Sequence, residues 1–256
     1  SQDHEDVAII DCDVEEPNCH IFLKPLIEKT DKTYSEIPKI DPLTCTSCRK
    51  CIEACEFNAL AMIGKELLVF PELCHSCGAC WELCPSNSIT KTQKEIGIIE
   101  QGRSDKLHFI HGKTKIGEPM SPPLIKKIKQ AGKDHSIQIW DCPPGTSCPV
   151  INAVEGADIV LMVTEPTPFG LYDLKLAIDV MNKLKKQIFI IINKSSENDQ
   201  FIDSYAKEKN IKILTRIPDD KRIAVSYSNG ALILKELPEY ISAFKPITEI
   251  IKRTNK

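Results

Sequence analysis

The segment ADIVLMVTEPTPFGLYDLKLAIDVMNKLKKQIFIIINK (residues 157–194) decides the fold. It opens on ADIVLMVT, a run that is apolar almost throughout, and closes on another, QIFIIINK. Between them PFGLYDLKLAIDVMNKLKK repeats apolar residues at helical spacing. Strands that are apolar without alternation are covered on both faces, and a helix between two of them is the crossover that parallel pairing requires. Working outward, QFIDSYAKEKN reads as a helix, IKILTRIP as a strand and PEYISAFKPITEIIKRT as a closing helix. Upstream lie the strands VAIIDCDV, IGIIEQ, KLHFIHG and HSIQIWDC, with a helix over residues 122–131 whose lysine face reads as solvated. The alternation predicts an α/β fold on a mostly parallel, doubly wound sheet, with ligands at the carboxyl ends of the strands where strand order reverses.

Against 36 acidic residues stand 33 basic ones, a net charge of −3, and no long run of one sign offers a footprint for nucleic acid or an anionic membrane. No apolar run reaches the length of about 18 residues that a membrane helix needs. The amino-terminal SQDHED is acidic where a signal peptide is basic, so the reading is a cytoplasmic protein. In that compartment 12 cysteines point to metal or redox work rather than to disulfides.

Eight of them fall in CTSCRKCIEAC (45–55) and CHSCGACWELCP (74–85). Both have the spacing C-x2-C-x2-C-x3-C, in which three cysteines wrap a 4Fe-4S cluster and the fourth reaches the second cluster. Cys45, Cys48, Cys51 and Cys84 are expected to hold one cluster, and Cys74, Cys77, Cys80 and Cys55 the other. Zinc, the competing occupant, favours paired C-x2-C arms. ALAMIGKELLVF, between the quartets, reads as a hairpin turning at Gly64. The stretch resembles a bacterial two-cluster ferredoxin, except that Glu56 follows Cys55 where Pro85 follows Cys84. It divides the chain into an insert, 37–91, and a host made of 1–36 and 92–256. Two clusters in one insert make an electron relay, with a cluster scaffold as the quieter alternative.

In the host, WDCPPGTSCP (140–149) sets an acid at a strand end and follows it with Pro-Pro-Gly. Such an acid can hold Mg2+ through water, and a glycine lets the backbone approach a phosphate. With IIDCDVEEPN (9–18), TEPTPFGLYDLKLA (164–177), INK (192–194) and IPDDKRIAVSYSNG (217–230), it resembles the MinD/Mrp-like branch of P-loop ATPases, in particular members with an inserted ferredoxin domain. The resemblance spans essentially the whole chain. It implies that Asp11 and Asp13 begin the first switch, near Mg2+ and the attacking water. Asp141 with Gly145 would form the second switch, Asn193 would read the adenine edge, and Pro218 would pack on the base. The implied cofactors are the two 4Fe-4S clusters and, only where the family's phosphate-binding loop is supplied, ATP and Mg2+. The implied activity couples ATP binding and hydrolysis to electron transfer, or to metal-centre delivery, toward a redox or metalloprotein partner. A homodimer, or a heterodimer with a related ATPase, fits that pattern.

One part of the pattern is missing. The family holds its phosphates with a Gly-rich loop and a Lys after the first strand, whereas the first glycine here is Gly64 and only ten residues precede Asp11. HGKT (111–114) contains GKT, but Leu107 stands where the preceding glycine belongs, and the segment reads as a turn. Either an amino-terminal segment is missing from the chain, or this is a natural relative without the loop. Loss of an internal strand leaves unpaired ladder groups and bare apolar faces. On both readings these 256 residues hydrolyse ATP weakly or not at all. The alternative function is a non-hydrolysing ferredoxin-type carrier or cluster scaffold on a vestigial nucleotide fold.

Cys12, Cys19, Cys142 and Cys148 read as small buried hydrophobes. Cys148 follows Asp141 where the nitrogenase iron protein, a distant cousin, carries a bridging-cluster cysteine, but no cysteine between Cys84 and Cys142 supplies the second ligand. His20, His75, His108, His111 and His135 show no paired spacing and read as structural or exposed.

Overall fold

The computed structural model describes residues 6–254. Residues 1–5 of the acidic amino terminus, part of the segment 1–36 expected of the host, lie outside that range. Along the chain come β1 (Val7–Asp11), α1 (Cys19–Leu23), β2 (Leu26–Ile40), α2 (Lys50–Glu53), β3 (Leu60–Ile63), β4 (Glu66–Val69), α3 (Ala79–Glu82), β5 (Ile89–Ser104), β6 (Leu107–Thr114) and α4 (Pro122–Ala131). Then follow β7 (Ile137–Asp141), α5 (Cys148–Val154), β8 (Ile159–Thr164), α6 (Pro168–Lys183), β9 (Gln187–Ser195), α7 (Gln200–Glu208), β10 (Ile213–Pro218), α8 (Lys221–Ser228), α9 (Ile233–Glu236) and α10 (Ile241–Thr254). None of the described helices is long and apolar enough to cross a membrane.

The host strands form two sheets, ordered β2-β5-β6-β1-β7 and β10-β9-β8. β1 is parallel to β6 and β7, and β9 is parallel to β8 and β10, as the apolar runs joined by helices require. In α4 the spacing of Leu124, Ile125 and Ile128 puts all three on one face, fully buried against Ala8, Ile10 and Ile110. The lysine face of α4 is less solvated than expected. Lys129 Nζ donates to the carbonyls of Asn152 (2.8 Å) and Ala153 (3.1 Å) and lies 4.0 Å from the centre of the Trp140 ring. It satisfies the end of α5, whose last carbonyls have no donor within the helix. HGKT is likewise not a turn but the end of β6. A side chain at Gly112 would meet Val14 at 2.9 Å and Leu124 at 3.0 Å, so the glycine serves close packing of strand on helix.

β2, 15 residues long, has no counterpart in the sequence reading. It is an edge strand paired only with β5, largely exposed, and its polar residues carry no apolar period. β5 is antiparallel to both β2 and β6, and the β2/β5 ribbon runs unbroken through positions 36/37 and 91/92. At its tip Ile40 and Ile89 pack against Leu60 and Leu67 of the β3/β4 hairpin and against Cys51. Gly64 turns that hairpin in the left-handed conformation, φ +62°.

Between β7 and β8 the ladder is interrupted. α5 bridges the interruption on one face: Ala153 packs with Ala8 and Ile10, while Val150 and Val154 pack with Met181 and Val160. On the other face Ile139 is 42% and Val163 63% exposed, alternating with the inward Trp140 and Met162. An open ladder and bare apolar surface of this kind are what an unfilled internal strand position leaves.

Candidate cluster and nucleotide sites

In the insert both quartets adopt one backbone. Ser47, Arg49 and Asn58 of the first, and Ser76, Gly78 and Asn87 of the second, are all left-handed at equivalent positions, which curls each three-cysteine loop around its centre. Cys45, Cys48, Cys51 and Cys84 line one cavity, closed by Met62, Leu67 and Ile89. In the other group burial raises the Cys74 thiol, with the nearby Cys77 and Cys55 adding to it, and burial pushes Cys80 up to about 11. His75 stacks on Phe57, ring centres 3.6 Å apart. Among the described residues no three quartet thiols come within 4.8 Å of one another. A zinc tetrahedron with Zn–S bonds of about 2.3 Å has an edge of about 3.8 Å. The quartets are therefore set wide for a single ion, and their donor chemistry fits a cubane whose four irons each take one thiolate.

Toward the carboxyl ends of the parallel strands β6, β1 and β7 a row of ionisable residues runs in register and continues onto the antiparallel β5. Glu100 of β5 pairs with His111 of β6, His111 with Asp11 of β1, and Asp11 with Asp141 of β7. Asp11 is fully buried. Its Oδ2 accepts from the backbone N–H of Asn18 and Cys19, both at 3.0 Å, and its Oδ1 from that of Asp13 at 3.2 Å. Burial above all, with the charge of Asp141 beside it, outweighs those donors and pushes Asp11 up to about 6. Cys19 is no inert hydrophobe: its Sγ donates to Asp141 Oδ2 at 3.0 Å, and Asp11, Cys19 and Asp141 each offer a ligand atom within 4.8 Å of the others. A divalent cation there would relieve two acids held at one point. His111 is structural, one of the two readings expected of it. It is 1% exposed, bonds Glu100 Oε2 through Nε2 at 2.7 Å, leaves Nδ1 without a hydrogen-bond partner among the described residues, and lies edge-on to His20. Asp11 and Asp141 share a position at the ends of their strands, the one signal that could have joined them beforehand, whereas His111 lies three residues inside the end of β6.

The remaining expected residues are spread along the same rim. Asp13 is half-buried and accepts from the Glu16 N–H at 3.4 Å. Gly145 lies in the β7–α5 loop at φ +94°, with open space where a side chain would be. Asn193 and Pro218 stand across the interruption, near the ends of β9 and β10, where Pro218 pairs with Ser195. Cys12 is fully buried and Cys142 half-buried, as expected of small hydrophobes, whereas Cys148 is exposed at the start of α5.

Two half-sheets with acids on the carboxyl rim, and a two-quartet insert on a ribbon, make up a MinD-like α/β fold with a 4Fe-4S dicluster domain. Residues 37–102 match the family model described as a 4Fe-4S dicluster domain. The fold is similar to that of the septum site-determining protein MinD complexed with Mg-ADP from Pyrococcus horikoshii OT3, with a TM-score of 0.57 and 16% identity over 97% of this chain and 84% of that one. The uncharacterized ATP-binding protein MJ0685 of Methanocaldococcus jannaschii is 27% identical over 134 residues, 51% of this chain and 53% of its own. The uncharacterized protein MJ0579 of the same organism is 34% identical over 245 residues, 91% of this chain and 83% of its own. The chain belongs to the family of MJ0579.

Proposed function

We propose that this protein is a nucleotide-gated electron relay, in which Mg-ATP at the carboxyl rim sets how readily the insert exchanges electrons with a redox or metalloprotein partner. One observation carries the reading: β5 joins the two sites. Ile89, its first residue, lines the cavity of the first quartet, and Glu100 stands in the row that ends on Asp11 and Asp141. Any movement of Asp11 or Asp141 with the nucleotide is thus applied to the strand that carries the insert. The eight quartet cysteines would hold two 4Fe-4S clusters, which supply one-electron transfer when bound. Asp11, Asp13 and Asp141 would hold Mg2+ and orient water, with Gly145 facing the γ-phosphate and Asn193 and Pro218 at the base. The MJ0685 name and the Mg-ADP of the Pyrococcus protein support a nucleotide at this rim.

The test uses anaerobically reconstituted chain with about eight irons. Its reduction by a fixed low-potential donor is followed optically with and without Mg-ATP. We expect a nucleotide-dependent rate that Asp141→Asn abolishes while iron content is kept, and weak or no ATP turnover by these 256 residues. A nucleotide response that survives Asp141→Asn sinks the gating. The interruption between β7 and β8 favours a second reading, a plain carrier or scaffold, and a wild-type rate indifferent to Mg-ATP and Mg-ADP would establish it instead.

A further inference from the structure

At the opposite, amino-terminal end of the five-stranded sheet we infer a divalent transition-metal site, of the zinc class, made by Asp6, His108 and His135. It does not depend on the reading of the carboxyl rim. Asp6 directly precedes β1, His108 is the second residue of β6 and lies beside Ala8, and His135 stands two residues before β7. Because β1 lies between β6 and β7, the strand order alone collects three residues from distant parts of the chain.

Their donor atoms already converge. His135 Nδ1 is 2.9 Å from Asp6 Oδ2, His108 Nε2 is 3.2 Å from Asp6 Oδ1, and all three residues offer a ligand atom within 4.8 Å of the others. The two imidazole rings are 4.1 Å apart, centre to centre. An ion with Zn–N and Zn–O bonds of about 2.0–2.1 Å has a tetrahedral edge of about 3.3 Å, so small side-chain movements would seat it. The backbone beneath the carboxylate is fixed, since the Asp6 carbonyl accepts from Ser136 Oγ at 2.9 Å and from the Ile137 N–H at 3.1 Å. Two imidazoles and a carboxylate suit zinc and neighbouring transition ions, whereas Mg2+ and Ca2+ call for oxygen alone. All three side chains are partly exposed, which leaves a coordination position for water. Bound there, the ion would tie the residue before β1 to the strands on both sides of it.

The rival is a hydrogen-bonded Asp-His pair with no ion, and metal analysis separates the two. Full-length, cluster-loaded chain is equilibrated with a small excess of Zn2+, desalted, and assayed for zinc and iron together with zinc K-edge absorption. The site requires about one zinc retained per chain, in a nitrogen/oxygen shell at about 2.0 Å with imidazole scattering. His108→Ala and His135→Ala should each weaken zinc binding at least tenfold with the iron content unchanged. Where an alanine variant loses its iron through misfolding, His135→Gln and Asp6→Asn, which retain hydrogen bonding, decide the matter by the same criterion. No retained zinc, retention equal in the variants, or a sulfur shell that places the ion on cysteines would overturn the inference.

Discussion

Burial sets the chemistry of the individual residues on the carboxyl rim. Asp11 meets three backbone N–H groups and the charge of Asp141 in a space closed to water, and the loss of solvation prevails. At His111 the same cause acts with the opposite sign, lowering the imidazole below its ordinary 6.5. The unfolded chain therefore takes up a proton near pH 6.5 that the folded chain refuses, so this contribution to stability is present above that value and is lost as pH falls below it. In anaerobic denaturant titrations at pH 7.5 and pH 5.5, wild type should lose more stability across the interval than His111→Gln. Parallel losses would mean that His111 titrates as if in water. Lys129 gives a second test at this scale. Replacing it with Met keeps the apolar stem but leaves the carbonyls at the end of α5 without their donor, at a cost of about 2 kcal/mol. A loss below about 0.5 kcal/mol would show that water replaces the ammonium fully. The quartet spacing was legible from its periodicity, but the partnership of Cys19 with Asp141 was not, since 19 and 141 share no local pattern.

At the scale of elements, β5 depends on glycines where backbones approach closely, Gly102 on the side of β2 and Gly97 on the side of β6. A Cβ at Gly102 would run into the Leu26 carbonyl and one at Gly97 into the Lys113 carbonyl, whereas Gly64 has nothing around it and needs only its positive φ. Gly64→Ala should cost about 1 kcal/mol, the price of a left-handed side chain. Gly97→Ala and Gly102→Ala should cost at least twice that, because strand pairing itself must shift. Equal losses in denaturant titrations of the three variants would argue against the close ribbon. β1 and β6 to β10 were readable because each is an apolar run, and their helices because apolar residues return every three or four positions. β2 was not, because an edge strand with one partner needs no apolar face.

In the whole molecule the interruption between β7 and β8 is the dominant feature. β1 and β9 are paired on both sides, β7 and β8 on one. Hydrogen exchange should find β1 and β9 the slowest segments of the host, with β7 and β8 exchanging at least tenfold faster as their outer ladder groups meet water. Protection of β7 and β8 equal to that of β1 would mean that something closes the sheet in solution. What the sequence by itself determined is the chemistry that near neighbours in the chain carry: two cysteine quartets, apolar strands between helices, and acids placed just after those strands. Only the tertiary structure decided which of those groups meet. Strand order and register put Glu100, His111, Asp11 and Asp141 in one row, turned Cys19 onto Asp141, and gathered Asp6, His108 and His135 at the other end. The physical reason is that local periodicity tells which face of a strand is buried and carries no record of which strand lies beside it.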